Sequence, residues 1–344
     1  MHPPIDRPFP VCRGTAILLF ALAALVAAPS AGALVRYDFE QAVFADPGFI
    51  VKDHSLVFAE GSWHLYYIRG DQTSFGHATS ADLVVWKIHD TLLETGPGDE
   101  DAFQIWAPCV VAFPPAEGYW LMYYTGANWS AAQRVCLAIS IGPDAWTKAL
   151  PQRFTPFHGD TSWTRWHADE WSNYRDPAFF EKDGVYYLLN TAMTRDNLGC
   201  IALARSTDLF TWEDAGPLYV HDNWHALESA RLVERNGRYH LFFTEEGVGG
   251  VSHLSSDSLT AGWNIIYRTI VDPGAAAEIV DIGLPDRQLI SRHSYYPAPV
   301  GEGLSTIRVD TLRWNGNDPE VAIPDPPGPG WSVLWGDAFD HQPV

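Results

Sequence analysis

Four carboxylates stand at comparable distances ahead of hairpin turns: Asp53 lies eight residues before Gly61, Asp176 eight before Gly184, Glu228 nine before Gly237, and Glu278 eight before Asp286. A fifth such place, nine residues before Gly118, holds Cys109. An isolated Asp beside a turn usually caps a strand or faces water. Acids that recur at one place in strands otherwise opening on apolar residues are instead brought together. Converging carboxylates raise one another's proton affinity, and two acids held in different protonation states are what glycosidic bond cleavage requires. Clustered oxygens also suit a hard cation or an ordered water, a reading that stays open for Glu278.

The elements that must position these acids are short strands. SLVFAEGSWHLYYI, VVAFPPAEGYWLMYY, AFFEKDGVYYLLNT and ARLVERNGRYHLFFT each alternate apolar and polar residues around a Gly-containing turn, as hairpins do. A second strand pair follows each and carries a Trp near its turn. These are Trp86, Trp146, Trp212, Trp263 and, more loosely, Trp314, at successive spacings of 60, 66, 51 and 51 residues. Five units of four strands predict an all-β, five-bladed β-propeller. A two-sheet sandwich gives no reason for a Trp to recur at such intervals. In a propeller the innermost strands start at one rim of the central channel, which is where the acids converge. The propeller is expected over residues 34–318, with residues 34–44 supplying an outer strand that closes the ring. The Pro-rich residues 319–344 read as a tail too short for another domain.

Composition restricts the partners. Lys and Arg number 22 against 42 Asp and Glu, a formal net charge of -20, so the surface repels phosphate backbones and anionic headgroups. Nucleic acid is excluded as a partner. The 15 Trp, 14 Tyr and 17 Phe supply rings that stack on the apolar face of a sugar. Residues 1–33 read as a signal peptide: Arg7 and Arg13 precede the apolar run TAILLFALAALVAA, and Ala31 and Ala33 provide a cleavage site before Leu34. The run is shorter than the roughly 20 residues of a spanning helix, so the mature chain is expected to be secreted or periplasmic, with no membrane contact after cleavage. Cys109, Cys136 and Cys200 then remain, either as buried thiols or with Cys109 and Cys136 bridged, and they form no metal set.

On these residues the chain resembles the five-bladed propeller glycoside hydrolases, families 32 and 43, over roughly residues 46–316. Asp53 in VKDHSLVF, Arg175-Asp176-Pro177 in NYRDPAFF and Glu228 in ALESARLV match the nucleophile, the Arg-Asp-Pro element and the acid/base of family 32, and GHATSADLVVW matches its first-blade run. The departures are Lys-Asp-His-Ser and Glu-Ser around the two principal acids, Ile68 where a sugar-contacting Gln is usual, and WAPCV, which is similar to a family 43 element with Cys109 in place of Asp. The C-terminal β-sandwich common in family 32 has no counterpart in residues 319–344.

The resemblance implies a furanoside-type substrate, fructan or sucrose-like, with Asp53 as nucleophile, Glu228 as a proton donor of raised proton affinity, and Asp176 beside Arg175 holding sugar hydroxyls. Arg175 reads equally as the partner of a buried Asp. Trp106, His54, His77 and Glu278 are substrate-binding candidates, although Trp106 and His77 suit blade packing as well. The Trp-rich insertion 157–174 would shape outer subsites or pack on the neighbouring blade. Hydrolysis by two carboxylates requires no cofactor, and a monomer is expected. An inverting arabinosidase or xylosidase and a non-catalytic sugar-binding propeller are the alternatives. A separation of about 5–5.5 Å between Asp53 and Glu228, against about 6.5–9.5 Å for inversion, is the expected geometry.

Overall fold

Hairpin formation begins in two-residue turns. Glu60-Gly61, Asp183-Gly184 and Asn236-Gly237 all have positive φ at both residues, between 50° and 79°. Such turns match the right-handed twist of the flanking strands, and the second position of each is a glycine because it meets no Cβ penalty there. Blade five turns at Pro285-Asp286 instead.

The computed structural model describes residues 44–96, 100–112, 119–248, 250–294 and 306–322. Blade one contains β1 (Lys52–Ala59), β2 (Ser62–Ile68), β3 (Ser74–Ser80) and β4 (Trp86–Ile88), with the short β5 (Leu93–Glu94) also paired to β3. Blade two contains β6 (Gln104–Ala112), β7 (Trp120–Ala127), β8 (Gln133–Ser140) and β9 (Thr147–Lys148). Blade three contains β10 (Tyr174–Lys182), β11 (Val185–Met193), β12 (Gly199–Ser206) and β13 (Glu213–Val220). Blade four contains β14 (Leu227–Arg235), β15 (Arg238–Glu245), β16 (Val251–Ser256) and β17 (Thr269–Asp272). Blade five contains β18 (Ala275–Leu284), β19 (Arg287–Ser294), β20 (Thr306–Asn315) and β21 (Asp318–Ala322). All five sheets are antiparallel meanders, and the first strands touch in a ring, β1 to β6 to β10 to β14 to β18 and back to β1. The fold is the expected five-bladed propeller. Its last strand runs past residue 318, into the stretch expected to be tail.

The recurring Trp residues close the turn between third and fourth strands. Ser80 Oγ accepts from the Asp82 and Leu83 amides, Asp82 accepts from those of Val84 and Val85, and the Trp86 indole donates to the Leu83 carbonyl. Ser206, Asp208, Leu209 and Trp212 repeat the pattern. Trp146 and Trp263 donate to Pro143 and Leu259 carbonyls in the same way. Trp314 differs, lying within β20 and donating to Gln288.

The hydrophobic cores lie between blades. Tyr66, Ile68 and Phe75 of blade one pack with Trp106, Val110, Met122 and Tyr124 of blade two, and comparable clusters fill the other seams. Cys109, Cys136 and Cys200 are buried free thiols, so no Cys109–Cys136 bridge forms. Phe44 exchanges both backbone hydrogen bonds with Ile307 of β20 and packs on Tyr67 and Trp86 of blade one. It therefore ties blade five to blade one. The remainder of the expected closing strand, the signal peptide and residues 323–344 lie outside the described residues.

Phe44→Ala removes a side chain only 2% exposed from this seam. The expected cost is about 3–5 kcal/mol, read as a fall in the urea midpoint, whereas Val85→Ala, at 72% exposure, leaves the midpoint within error.

Candidate active site

All five innermost strands break register near their starts, between Lys52 and His54, Trp106 and Cys109, Arg175 and Ala178, Glu228 and Arg231, and Ala275 and Glu278. In four of them one residue takes a left-handed backbone: Ala107 (φ 46°), Asp176 (φ 57°), Ser229 (φ 52°) and Ala276 (φ 51°). Such bulges re-aim side chains at a local conformational cost. The extra residues let neighbours in sequence face the same side, whereas in a regular strand they alternate. The bulge amides are held by the preceding blade: Asp176 donates to Thr125 Oγ1 at 2.8 Å and Ala276 to Thr244 Oγ1 at 2.9 Å.

The registers define levels around the rim. Lys52, Trp106, Arg175, Glu228 and Ala275 share one level, the last pairing before the break, opposite Ile68, Thr125, Thr191, Thr244 and His293. Asp53 and Asp176 occupy the bulges just inside. Cys109, Arg231 and Glu278 lie beyond them. Asp53 and Asp176 are thus equivalent, Glu228 precedes their level by one residue, and Glu278 follows by two. The Glu278 count from the turn misleads because a second irregularity, between Val280 and Leu284, inserts two further residues into β18.

A cavity of about 390 Å³ opens over these levels, lined by Asp53, Asp176, Glu228, Arg175 and Trp106 among others. Arg175 is its buried organiser. The guanidinium donates to Glu228 Oε1 at 2.6 Å and to Asn173 Oδ1 at 2.5 Å, and its Nε lies 3.5 Å from Asp176 Oδ2. Asp176 Oδ2 also accepts from Thr191 Oγ1 at 3.0 Å and from the Ser229 amide at 3.1 Å. Asp53 Oδ1 lies 3.7 Å from His293 Nδ1. Burial, reinforced by the Glu228 charge, pushes the Asp53 carboxyl up to about 6. Burial also raises Asp176, opposed by Arg175 and assisted by the charges of Asp53 and Glu228. His293 is pushed down to about 4, chiefly by burial, and is neutral at pH 7. Asp53, Asp176, Glu228, Arg175 and His293 thus offer three carboxylates, a guanidinium and a neutral imidazole to a ligand.

Three of the candidates taken from the sequence lie elsewhere. His54 is buried and hydrogen-bonds Ser291 Oγ at 2.7 Å, joining blades one and five. His77 is fully buried in β3, stacked between Tyr66 and His89. Glu278 is buried against Arg231, an ion pair that occupies the place considered for a cation. Adjacency in sequence misled for His54, because a residue after the bulge turns into the seam. The cavity walls also include Lys52, His293, Glu245 and Glu246, which the sequence reading missed, and Trp171 of the insertion expected to shape outer subsites. Register was the signal for two of them: Lys52 and His293 stand at the pairing just before the break in their own blades. Within the insertion the roles divide. Trp163 and Trp166 donate to Asp214 and the Gln133 carbonyl, while Trp171 reaches the cavity with its ring centroid 6.0 Å from that of Trp106. Among the described residues, the group of His, Cys, Asp and Glu side chains close enough to share a metal ion is His77, His89 and Asp144, away from the cavity.

Comparison with known proteins agrees with this architecture. Residues 45–234 match the model of the glycosyl hydrolases family 32 N-terminal domain. The chain is 27% identical over 255 residues to a sucrose-6-phosphate hydrolase of Pediococcus pentosaceus, covering 68% of this chain and 48% of that protein. It is 26% identical over 223 residues to the insoluble β-fructofuranosidase isoenzyme 7 of Oryza sativa subsp. indica, covering 58% of this chain and 34% of the relative. The chain thus spans half or less of the length of these relatives. In structure it is similar to a thermostable family 43 glycoside hydrolase (TM-score 0.64, 14% identity, 84% of this chain and 98% of the other). It is also similar to a GH32 β-fructofuranosidase of Bombyx mori (TM-score 0.62, 16% identity, 82% and 67%). The two folds are alike, so the sequence match over more than half of the chain decides between them: the protein belongs to glycosyl hydrolase family 32.

Proposed function

We propose that the protein hydrolyses the glycosidic bond of fructosyl sugars, of the sucrose or short fructan type, through Asp53, Asp176 and Glu228. The carrying observation is the convergence of these three acids on one cavity, with a single guanidinium bonded to Glu228 and beside Asp176. Asp53 in its ionised form attacks the anomeric carbon while the leaving oxygen takes a proton from Glu228. Glu228 then accepts a proton from the water that releases the sugar from Asp53. Asp176 uses Oδ2 for its protein partners, and its other oxygen is available to a sugar hydroxyl, a charge-assisted bond that tightens as the ring distorts. Trp106 and Trp171 flank the cavity as stacking surfaces. Sucrose-6-phosphate is named for one relative and sucrose for a solved neighbour; a cavity walled by five acids favours the unphosphorylated class.

We also infer that the chain is exported and acts as a monomer, on the strength of its apolar leader and its charge. Edman sequencing of the exported protein should begin at Leu34.

The experiment that tests the catalytic reading is hydrolysis of sucrose and short fructans followed by proton NMR, repeated with Glu228→Gln and Asp53→Asn. Wild type should release the retained anomer first, and each variant should lose about a thousandfold or more in kcat. Near-wild-type turnover in either variant would falsify the assignment.

Protonation of Asp53 sets the acid limb. With its carboxyl raised from 3.8 to about 6, kcat/KM should fall below about pH 6 as the nucleophile takes up a proton. The same shift has the opposite sign for stability. The folded state binds this proton more tightly than the unfolded chain, so stability falls as pH rises from about 4 to about 6 and stays lowered above that. Asp53→Asn should accordingly raise the melting temperature by a few degrees at pH 7.5, corresponding to at most roughly 3 kcal/mol, with the gain vanishing towards pH 4. Calorimetry across that range checks it.

A further inference from the structure

Blades one and four carry the same pair of histidines on their second and third strands. His64 and His77 correspond in register to His240 and His253, with Tyr66 and Phe242 as the intervening partners. Both pairs are stacked, with His64 Nδ1 3.1 Å from His77 Nε2 and His240 Nδ1 3.0 Å from His253 Nε2. The outward nitrogen of the pair separates the two blades. In blade four, His253 Nδ1 meets Thr269 Oγ1 of the fourth strand at 3.3 Å. In blade one the corresponding place after the fourth strand is taken by His89, whose amide bonds the His77 carbonyl and whose ring stacks on His77. There a carboxylate also arrives from blade two. Asp144 Oδ1 lies 3.0 Å from His77 Nδ1, yet the buried nitrogen makes no hydrogen bond to it.

We propose that His77, His89 and Asp144 form a binding site for a divalent transition-metal ion of the zinc class, which fastens blade one to blade two. One ligand atom of each residue lies within 4.8 Å of the others. Metal–ligand bonds of about 2.0–2.2 Å require such atoms to stand roughly 3.3 Å apart. Closing that difference requires rotation of His89, which is half-buried with Nε2 2.8 Å from Thr79 Oγ1, and of Asp144, whose side chain is 67% exposed, while the buried His77 stays fixed. Two imidazoles and one carboxylate suit zinc better than calcium or magnesium, which take oxygen ligands. His64, behind His77, orients its ring as outer partners of metal-bound histidines do. The turn that brings Asp144 is already anchored, since Tyr66 donates to the Pro143 carbonyl at 3.2 Å and stands edge-on to Trp146. No member of the group lines the sugar cavity, so the ion supports the seam and takes no part in the chemistry there.

The test uses untagged mature protein, stripped with a chelator, exchanged into buffer at pH 7.5 and titrated with zinc chloride by calorimetry and by competition with a chromogenic chelator. One equivalent should bind with a dissociation constant at or below about 1 μM, and the melting temperature should rise by several degrees. Asp144→Asn replaces an exposed side chain and should leave the metal-free melting temperature unchanged while weakening zinc at least tenfold, and His89→Gln, which also gives up the Thr79 hydrogen bond, should weaken zinc to the same extent. Absence of one-site binding below millimolar zinc overturns the proposal. So does affinity that stays within twofold of wild type in both variants.

Discussion

Everything at the rim depends on the interruption of pairing near the start of each innermost strand. A regular β-strand sends neighbouring side chains to opposite faces, so Arg175 and Asp176 could not both border one cavity. The bulge removes that restriction, and the left-handed backbone at Asp176 and Ser229 is its conformational cost. Threonines at matched positions of the second strands stabilise it by accepting the bulge amides or holding the neighbouring carbonyl and carboxylate. The device is supplied by the fold and repeated, while the chemistry is supplied by which residue each blade places at each level.

That division explains how five similar blades produce an asymmetric site. The pairing just before the break carries Lys52, Trp106, Arg175, Glu228 and Ala275, respectively a cation, an aromatic surface, an organising guanidinium, an acid and a small side chain. Beyond it in the same strands lie the Arg231–Glu278 ion pair and Cys109, which accepts from the Phe179 amide. The candidate site therefore arises from divergence at equivalent positions of a geometry repeated in five blades.

The site also concentrates unfavourable electrostatics. Asp53 is half-buried and Asp176 buried beside Glu228, and the Arg175 guanidinium does not neutralise all three carboxylates, so proton affinity rises at both aspartates. The interblade cores hold the acids together despite their repulsion. Each seam is packed by aromatic and aliphatic side chains from two blades, and Phe44 completes the last of them. Stability thus lies between blades and chemistry at their inner ends.

The alternation of the hairpins, the Gly-containing turns and the spaced Trp residues determined the propeller from sequence alone, because these signals are local: a turn type, a strand period and an indole capping its own turn. The same local counting located Asp53 and Asp176 correctly, since no irregularity lies between them and their turns. It placed Glu278 wrongly because β18 contains an extra irregularity that only pairing reveals. His54 and His77 read as sugar contacts from their neighbours in sequence, yet the seams between blades claim both, and which face enters a seam depends on strands up to 237 residues away. Trp171, His293 and Lys52 reach the cavity, and Asp144 reaches His77, for the same reason. Residues within a hairpin are set by chain geometry, whereas residues across a seam meet only once five sheets have closed around an axis.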